Sequence, residues 1–399
     1  MTKQILKDVV VIDMSTILAA PLTASLLSDF GATVIKIEEP DGGDPVRQYA
    51  PSKSGISLQN KVINRNKRSV AVDLRHEQGR EIIRRLAKQA DAVVTNFRVP
   101  TLKEWGLDYE QLCSVKQDIV MLHLSAFGRT GPYRERPGFA RVAEAYSGLA
   151  YMTGYPDRTP MFSGYPIADG VGGVFGAFSL MLALYERSQS GQGQLIDLGL
   201  YEPMLKMMEG QVISYDQVGL VPERIGTRHR DIAPNDLYRC KDGKWVVLPA
   251  STPNMFRRLC VAIGKQELAN DARFITNSVR VENRSELDSV LQDFFIRFEA
   301  NEVCTRLQQH GVAATEVYSI QDIIGDEHIH ERGNLIRVFD EELGEAPLIQ
   351  GVVPRLSKTP GNIHSLAESL GQSTRAVLEE LGYTETSIRQ LGATGVVRI

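Results

Sequence analysis

The sequence predicts an α/β fold, with a Rossmann-like large domain on a parallel sheet and a smaller α+β domain after it. Two observations carry that prediction. Strand-like runs alternate with helix-like segments through residues 1–200, and the charged, aperiodic stretch Ile225–Pro234 (IGTRHRDIAP) breaks the alternation. Composition agrees, with 43% hydrophobic and 24% charged residues in 399. That length makes one large domain or two ordinary ones.

Val9–Met14 reads as a buried strand, because its β-branched residues suit a covered pleated surface. Pro21–Phe30 follows as a helix, and Gly31 can close it in a left-handed conformation. Thr33–Glu38 is a second strand, completing a βαβ unit. Ser69–Leu74 is a strand, His76–Ala90 an amphipathic helix and Ala92–Phe97 a strand. Thr101–Val115 is mostly helix and Ile119–Ser125 another strand. Asp169 to Ser188 reads as a long, mostly buried helix, Gln194–Leu200 as a strand and Tyr201–Val218 as a helix. Beyond the break, Trp245–Pro249 and Ala314–Ser319 are strands around helices at Met255–Ile263, Ser285–Arg297 and Glu302–Gln309. The tail holds strand-like LIRVF and a helix at Thr374–Leu381 capped by Gly382.

Several function classes lose support. A net charge of −4 opposes nucleic-acid binding. The apolar run in MTKQILKDVVVIDM is too short for a secretory signal, and no stretch reads as the roughly 18 apolar residues of a spanning helix. The 4 cysteines, Cys113, Cys240, Cys260 and Cys304, form no CxxC, so neither a disulfide framework nor a zinc site is expected and a reducing cytoplasm is. His328 and His330 are read as surface residues, not a metal site. No GxGxxG follows the first strand, and there is no P-loop and no GxSxG elbow.

Asp169 stands at the head of an apolar, glycine-rich helix in GYPIADGVGGVFGAF. One reading is an N-cap, with the carboxylate accepting backbone N–H groups and the glycines serving close helix packing. The other is catalytic. Free N–H groups at such a terminus can stabilise an oxyanion, and missing side chains admit a bulky acyl group. The two are compatible.

Seven segments stand in order along the chain: DMSTILAAPLTASLLSDFGATVIKIE, NKRSVAVDL, NFR, LSAFGRTGPYRERPGF, SGLAYMTG, IADGVGGVFGA and GQGQLIDLGLYEPML. Through them, along nearly its whole length, the chain resembles the CaiB/BaiF (family III) CoA-transferases. The resemblance implies CoA transfer from an acyl-CoA to a small carboxylic acid, with Asp169 as nucleophile and no prosthetic group or metal. It implies that Thr16, Ile17 and Ala19 lie near the thiol. It also implies that Val72, Asp73, Arg75, Asn96 and Phe97 contact the nucleotide and pantetheine arm. Lys67, Arg68 and Arg75 are either solvated surface or a cluster for the CoA phosphates. The implied organisation is a large domain over residues 1–220, a small domain over 221–330 and a return over 331–399 that completes the large domain. The implied assembly is an interlocked homodimer.

The chain departs from the formyl-CoA transferase pattern at several points. Leu18 replaces a glutamine, and Ala140 replaces an acid near the nucleophile. IGTRHRDIAPND has no glycine loop, and Gly371-Gln372-Ser373 stands for Gly-Glu-His. Oxalate and formate thereby lose support in favour of a larger or less polar acyl group. Arg141 or Arg47 is a candidate to pair the second carboxylate of a dicarboxylate such as succinate, against the alternative of a structural salt bridge. An α-methylacyl-CoA racemase is the first rival, but Phe139 stands where that relative carries a histidine, and phenylalanine cannot move a proton. A non-catalytic acyl-CoA-binding protein is the second, opposed by the intact IADGVGG.

Overall fold

The protein is described here by a computed structural model covering residues 4–399. The chain divides into two units. One holds the chain up to Leu149, Phe162–Gly219 and His328–Ile399, and the other holds Ala150–Met161 and Leu220–Glu327.

The first unit is built on a sheet of strands β1 (Val10–Met14), β2 (Thr33–Glu38), β3 (Lys67–Val72), β4 (Ala92–Thr95), β5 (Val120–Ser125) and β6 (Leu195–Gly199). Its order is β3-β2-β1-β4-β5-β6, with all neighbours parallel. The sheet is not wholly parallel, however. The short C-terminal strand Val397–Arg398 adds antiparallel to β3, pairing Val397 with Val72. Both faces are covered, as crossover connections require. Ile12 and Met14 of β1 pack into one apolar core, and Val11 points into the other.

Helix α1 (Ala19–Ser28) follows β1, α2 (Ala140–Tyr146) follows β5, and α3 (Ile167–Ser190) runs along the sheet before β6. Helix α3 crosses α1 closely because it offers glycine there. A Cβ on Gly173 would stand 2.9 Å from the Ala19 carbonyl oxygen, and one on Gly176 only 2.3 Å from Thr23 Oγ1. Thr23 Oγ1 donates to the Gly173 carbonyl at 3.0 Å, sealing the crossing.

Several segments differ from their sequence reading. Helix α3 starts at Ile167, before Asp169, and is not mostly buried: Val174, Phe178, Leu182 and Tyr185 are exposed on it. By length and composition this 24-residue helix could also span a membrane, contrary to the expectation from sequence, because its glycines and alanines extend the apolar run. Its glycine side is nonetheless packed on α1, as in the core helix of a globular fold. Thr101–Val115 splits into two helices at Gly106, whose φ is +65°. Tyr201–Val218 splits at Met207–Met208, and its second part, α4 (Glu209–Val218), buries no residue.

The second unit carries a three-stranded antiparallel sheet with Trp245–Pro249 at its centre. Helices Pro253–Ala262, Arg284–Phe295 and Ala300–Gln309 supply its core, including Phe256, Leu291, Phe294 and Leu307. Arg280 is fully buried there, with no carboxylate partner among the described residues. It donates to the carbonyls of Ala233 (2.7 Å) and Phe274 (3.1 Å) and stacks on Phe256.

The crossing of α1 and α3 gives a direct test. Gly176→Ala gains helix propensity but forces Cβ into Thr23 and Leu122. The expected net effect is a loss of about 1–3 kcal/mol, read as a lower urea midpoint at unchanged slope.

Candidate active site

The site lies beyond the carboxyl ends of β1, β4 and β5, where open α/β sheets bind ligands. A cavity of about 670 Å³ is lined there by Thr16, Ile17, Leu18 and Ala19, by Asn96 and His123, and by Phe139, Asp169 and Leu200. A second cavity, about 350 Å³, is lined by Val72, Asp73, Arg75, Phe97 and Trp105 and shares Thr16 with the first. The structure thus divides the residues implied for CoA. Thr16, Ile17, Ala19 and Asn96 gather with Asp169, while Val72, Asp73, Arg75 and Phe97 gather in the neighbouring cavity. Phe97 is fixed edge-on to Trp105 at 5.3 Å.

The loop after β1 is tied at each backbone group from Ser15 N to Ile17 N. Ser15 N donates to Asp13 at 3.0 Å, and the Ser15 carbonyl accepts from Lys36. The Asn96 amide meets Thr16 on both sides, accepting from its N–H at 3.0 Å and donating to its carbonyl at 2.9 Å. Ile17 N donates to Asp44 at 3.0 Å. Past this point the pattern stops. Leu18 and Ala19 open α1, no side chain caps that helix, and their N–H groups find no acceptor among the described residues. They border the same cavity as Asp169.

Asp169 does not act as a helix cap. It sits in the first turn of α3, Pro166 occupies the N-cap position, and the Asp169 carboxylate has no hydrogen-bond partner among the described residues. Its place in the first turn of the helix does not lower its pKa. Burial, and then the nearby charge of Glu144, push its pKa up to about 6. Glu144 was not picked out from the sequence. It lies one helical turn after Ala140, on the same face of α2, at 1% exposure, and its Oε1 has no partner. An acid absent at position 140 is therefore present one turn on.

The remaining candidates are spread more widely. Ala140 is buried at the start of α2, and Phe139, its N-cap residue, is exposed at the cavity rim. Arg47 is committed to Glu38 through bonds of 2.6 and 2.7 Å and also donates to the Glu368 carbonyl. Arg141 is half exposed. It donates to the Ser163 carbonyl at 3.0 Å, stacks on Phe162 and approaches Glu144 at only 3.5 Å. Lys67 is buried against Asp13 at 2.7 Å, where burial pulls its pKa down to about 8. Arg68 pairs with Glu380, and Arg75 with Asp73 and Glu39. The basic residues that do line the large cavity are Arg98, Lys103, Arg129, Arg134 and Arg136. None of these five is a candidate from the sequence, although LSAFGRTGPYRERPGF carries three of them.

Fold and cleft together are those of an α/β protein with a ligand-sized cavity at the carboxyl ends of its strands. The chain matches the family described as CoA-transferase family III over residues 6–374. It is 39% identical over 394 residues to "Succinyl-CoA--D-citramalate CoA-transferase" of Chloroflexus aurantiacus, covering 98% of each chain. It is 32% identical to "Succinate--glutarate CoA-transferase" of Agrobacterium fabrum, covering 94% of this chain and 95% of that one. A crystal structure of a CaiB/BaiF family protein from Brucella suis superposes with a TM-score of 0.85 at 32% identity, over 94% of this chain and 99% of that one. The protein belongs to CoA-transferase family III and is a CoA-transferase.

The Asp169 environment sets a pH dependence of stability. Its folded pKa is raised, so the folded state holds the proton more tightly and ionisation costs stability as pH rises from about 4 through about 6. Asp169→Asn should therefore unfold later than wild type at pH 7.5, by about 1–3 kcal/mol, with the gap closing below about pH 4. In a Glu144→Gln background the gap should shrink. Urea melts at several pH values measure both.

Proposed function

We propose that this enzyme moves CoA from succinyl-CoA, or another dicarboxylyl-CoA, to a small dicarboxylic or hydroxy-dicarboxylic acid, with Asp169 as covalent nucleophile. The observation that carries this reading is the partnerless Asp169 carboxylate, half-buried in a cavity bordered by the free N–H groups of Leu18 and Ala19. The substrate class rests on the relatives, whose names specify succinyl-CoA or succinate with citramalate and glutarate.

In this mechanism an Asp169 oxygen attacks the thioester carbonyl. The C–S bond breaks, giving a succinyl–aspartyl anhydride and the CoA thiolate. The thiolate attacks the aspartyl carbonyl and expels succinate, leaving an aspartyl-CoA thioester. The acceptor carboxylate attacks that thioester and expels the thiolate again. The thiolate then takes the acceptor's acyl group and frees Asp169. Each step forms one bond and breaks one, with no net proton change. The Leu18 and Ala19 N–H groups suit the oxyanion of each tetrahedral intermediate. Water has to be excluded, since it would hydrolyse the anhydrides. The CoA arm fits the cavity beside Val72, Asp73, Arg75 and Phe97, and Lys103, Arg134 and Arg136 supply cations for its phosphates.

We also propose a homodimer, interlocked as the resemblance implies. Large apolar residues of α3 and Val212, Ile213, Tyr215 and Val218 of α4 are exposed in the single chain, and exposed apolar surface on that scale suits an interface. Light scattering on the eluting protein should give twice the chain mass. The 4 cysteines, free in the structure, and a CoA thioester substrate suit the cytoplasm.

Incubation with succinyl-CoA and hydroxylamine should place a hydroxamate on Asp169, and Asp169→Ala should abolish transfer to citramalate, malate and glutarate. Unmodified Asp169 with full turnover would remove the covalent reading. Arg141→Ala should slow succinyl-CoA more than butyryl-CoA where Arg141 pairs the distal carboxylate, and equal losses would exclude it from that role.

A further inference from the structure

We propose that Asp44 is a positioning residue that holds Ile17 in the left-handed conformation and so points the free N–H groups of Leu18 and Ala19 toward Asp169. The proposal rests on the nucleophile reading above. Ile17 has a φ of +75°. A β-branched side chain strongly disfavours that region, so an isolated chain would leave it. The contact that opposes this is the Ile17 N–H, which donates to both Asp44 oxygens, at 3.0 and 3.3 Å.

Asp44 is itself fixed from several sides. Its Oδ1 also accepts from Val46 N at 3.0 Å, and its own N–H donates to Glu38 at 3.0 Å. Its Oδ2 lies 3.0 Å from Lys36 Nζ, and both side chains are 1% exposed. Lys36 reaches on to the Ser15 carbonyl. A buried, charge-neutralised carboxylate of this kind is a stiff acceptor. Asn96 fixes Thr16 on the other side of the Ile17 peptide. The strain sits at the single peptide that joins this clamp to the first turn of α1. Turning Ile17 back to an ordinary φ would swing the Leu18 and Ala19 N–H groups away from the Asp169 cavity. A displacement on the order of 1 Å in such a group is enough to cost about 10²-fold in rate.

Asp44 also caps the turn Pro45–Gln48, so a loss of activity alone would not separate positioning from folding. Glycine separates them, because it adopts positive φ without strain. Transfer from succinyl-CoA would be measured for wild type, Asp44→Ala and the double variant Asp44→Ala/Ile17→Gly. Asp44→Ala should lower kcat about 10- to 100-fold and change KM for succinyl-CoA less than about threefold. Adding Ile17→Gly should restore about tenfold of the lost kcat. No recovery in the double variant, or an Asp44→Ala enzyme as fast as wild type, overturns the proposal. Where Asp44→Ala does not fold, the same comparison on Asp44→Asn applies. That amide keeps an oxygen for Ile17 but weakens the Lys36 pairing, so its loss should be smaller and again relieved by glycine, and an unrelieved loss overturns the proposal. Hydroxamate trapping on the same samples tells the two readings apart. An unlabelled Asp169 in wild type is a failure of the nucleophile, whereas a labelled wild type with an indifferent Asp44 is a failure of this inference alone.

Discussion

The close crossing of α1 and α3 sets the geometry on which the site depends. Two helices ordinarily pack with axes about 8–10 Å apart, because side chains stand between them. Here Gly173 and Gly176 remove those side chains, and backbone meets backbone or a short hydroxyl. The first turns of the two helices then border one cavity, one bringing unpaired N–H groups and the other a carboxylate. A larger residue at Gly173 or Gly176 would meet α1 and push the helices apart, whereas one at Gly172 would meet Leu200. The glycine-rich motif is thus explained by packing, and that packing sets the N–H groups and the carboxylate around one cavity.

Beneath α1 lies a second constraint, an array of buried charges made by Asp13, Lys36, Lys67, Asp44, Glu38 and Arg47. Isolated, each would be costly to bury. Together they balance, three cations against three acids, and hydrogen bonds complete them. Burial opposes the Lys36 charge, yet Asp13 and Asp44 raise its pKa. Burial likewise opposes Glu38, yet Arg47 brings its pKa down to about 2. Buried pairs of this type contribute little net stability over an apolar core. What this array does supply is fixed direction. It ties β1, β2 and β3 to the loop at Ser15–Ile17, so the loop is positioned by the sheet and not by solvent.

Much of this was legible in the sequence, for definite reasons. Thr33–Glu38 and Trp245–Pro249 were read to the residue because β-branched and apolar runs report burial directly. The strand Asn235–Arg239 was not, since NDLYR lacks such a run and pairs through its backbone. Val397–Arg398 was missed because two residues carry no period, and only its pairing with β3 makes it a strand. Within the site, Asp169 and its glycines were visible as a motif. Its carboxylate's lack of a cap partner was not, because whether an aspartate caps depends on the residue before which the helix begins. Asp44 was equally hidden: it reads as a turn residue in GGDPVR, and the peptide it holds is 27 positions earlier.

Electrostatics at Asp169 run against its helix, and this conflict bears on catalysis. A helix N-terminus favours the ionised form of a carboxylate. Burial and Glu144 favour the neutral form and prevail, leaving a pKa of about 6. At neutral pH the group is still mostly ionised, as the proposed nucleophilic role requires. It is also more basic than a solvated aspartate, and basicity raises the reactivity of an oxygen toward a thioester. A fully stabilised carboxylate, capped and paired, would be the more stable arrangement and the poorer nucleophile. The supply of an acid from position 144, where position 140 holds alanine, therefore does more than conserve charge. From one turn further along α2 it keeps the Asp169 carboxylate poorly stabilised, while the Leu18 and Ala19 N–H groups have no acceptor among the described residues. In the proposed mechanism, stabilisation is thereby withheld from the resting enzyme and reserved for the intermediates.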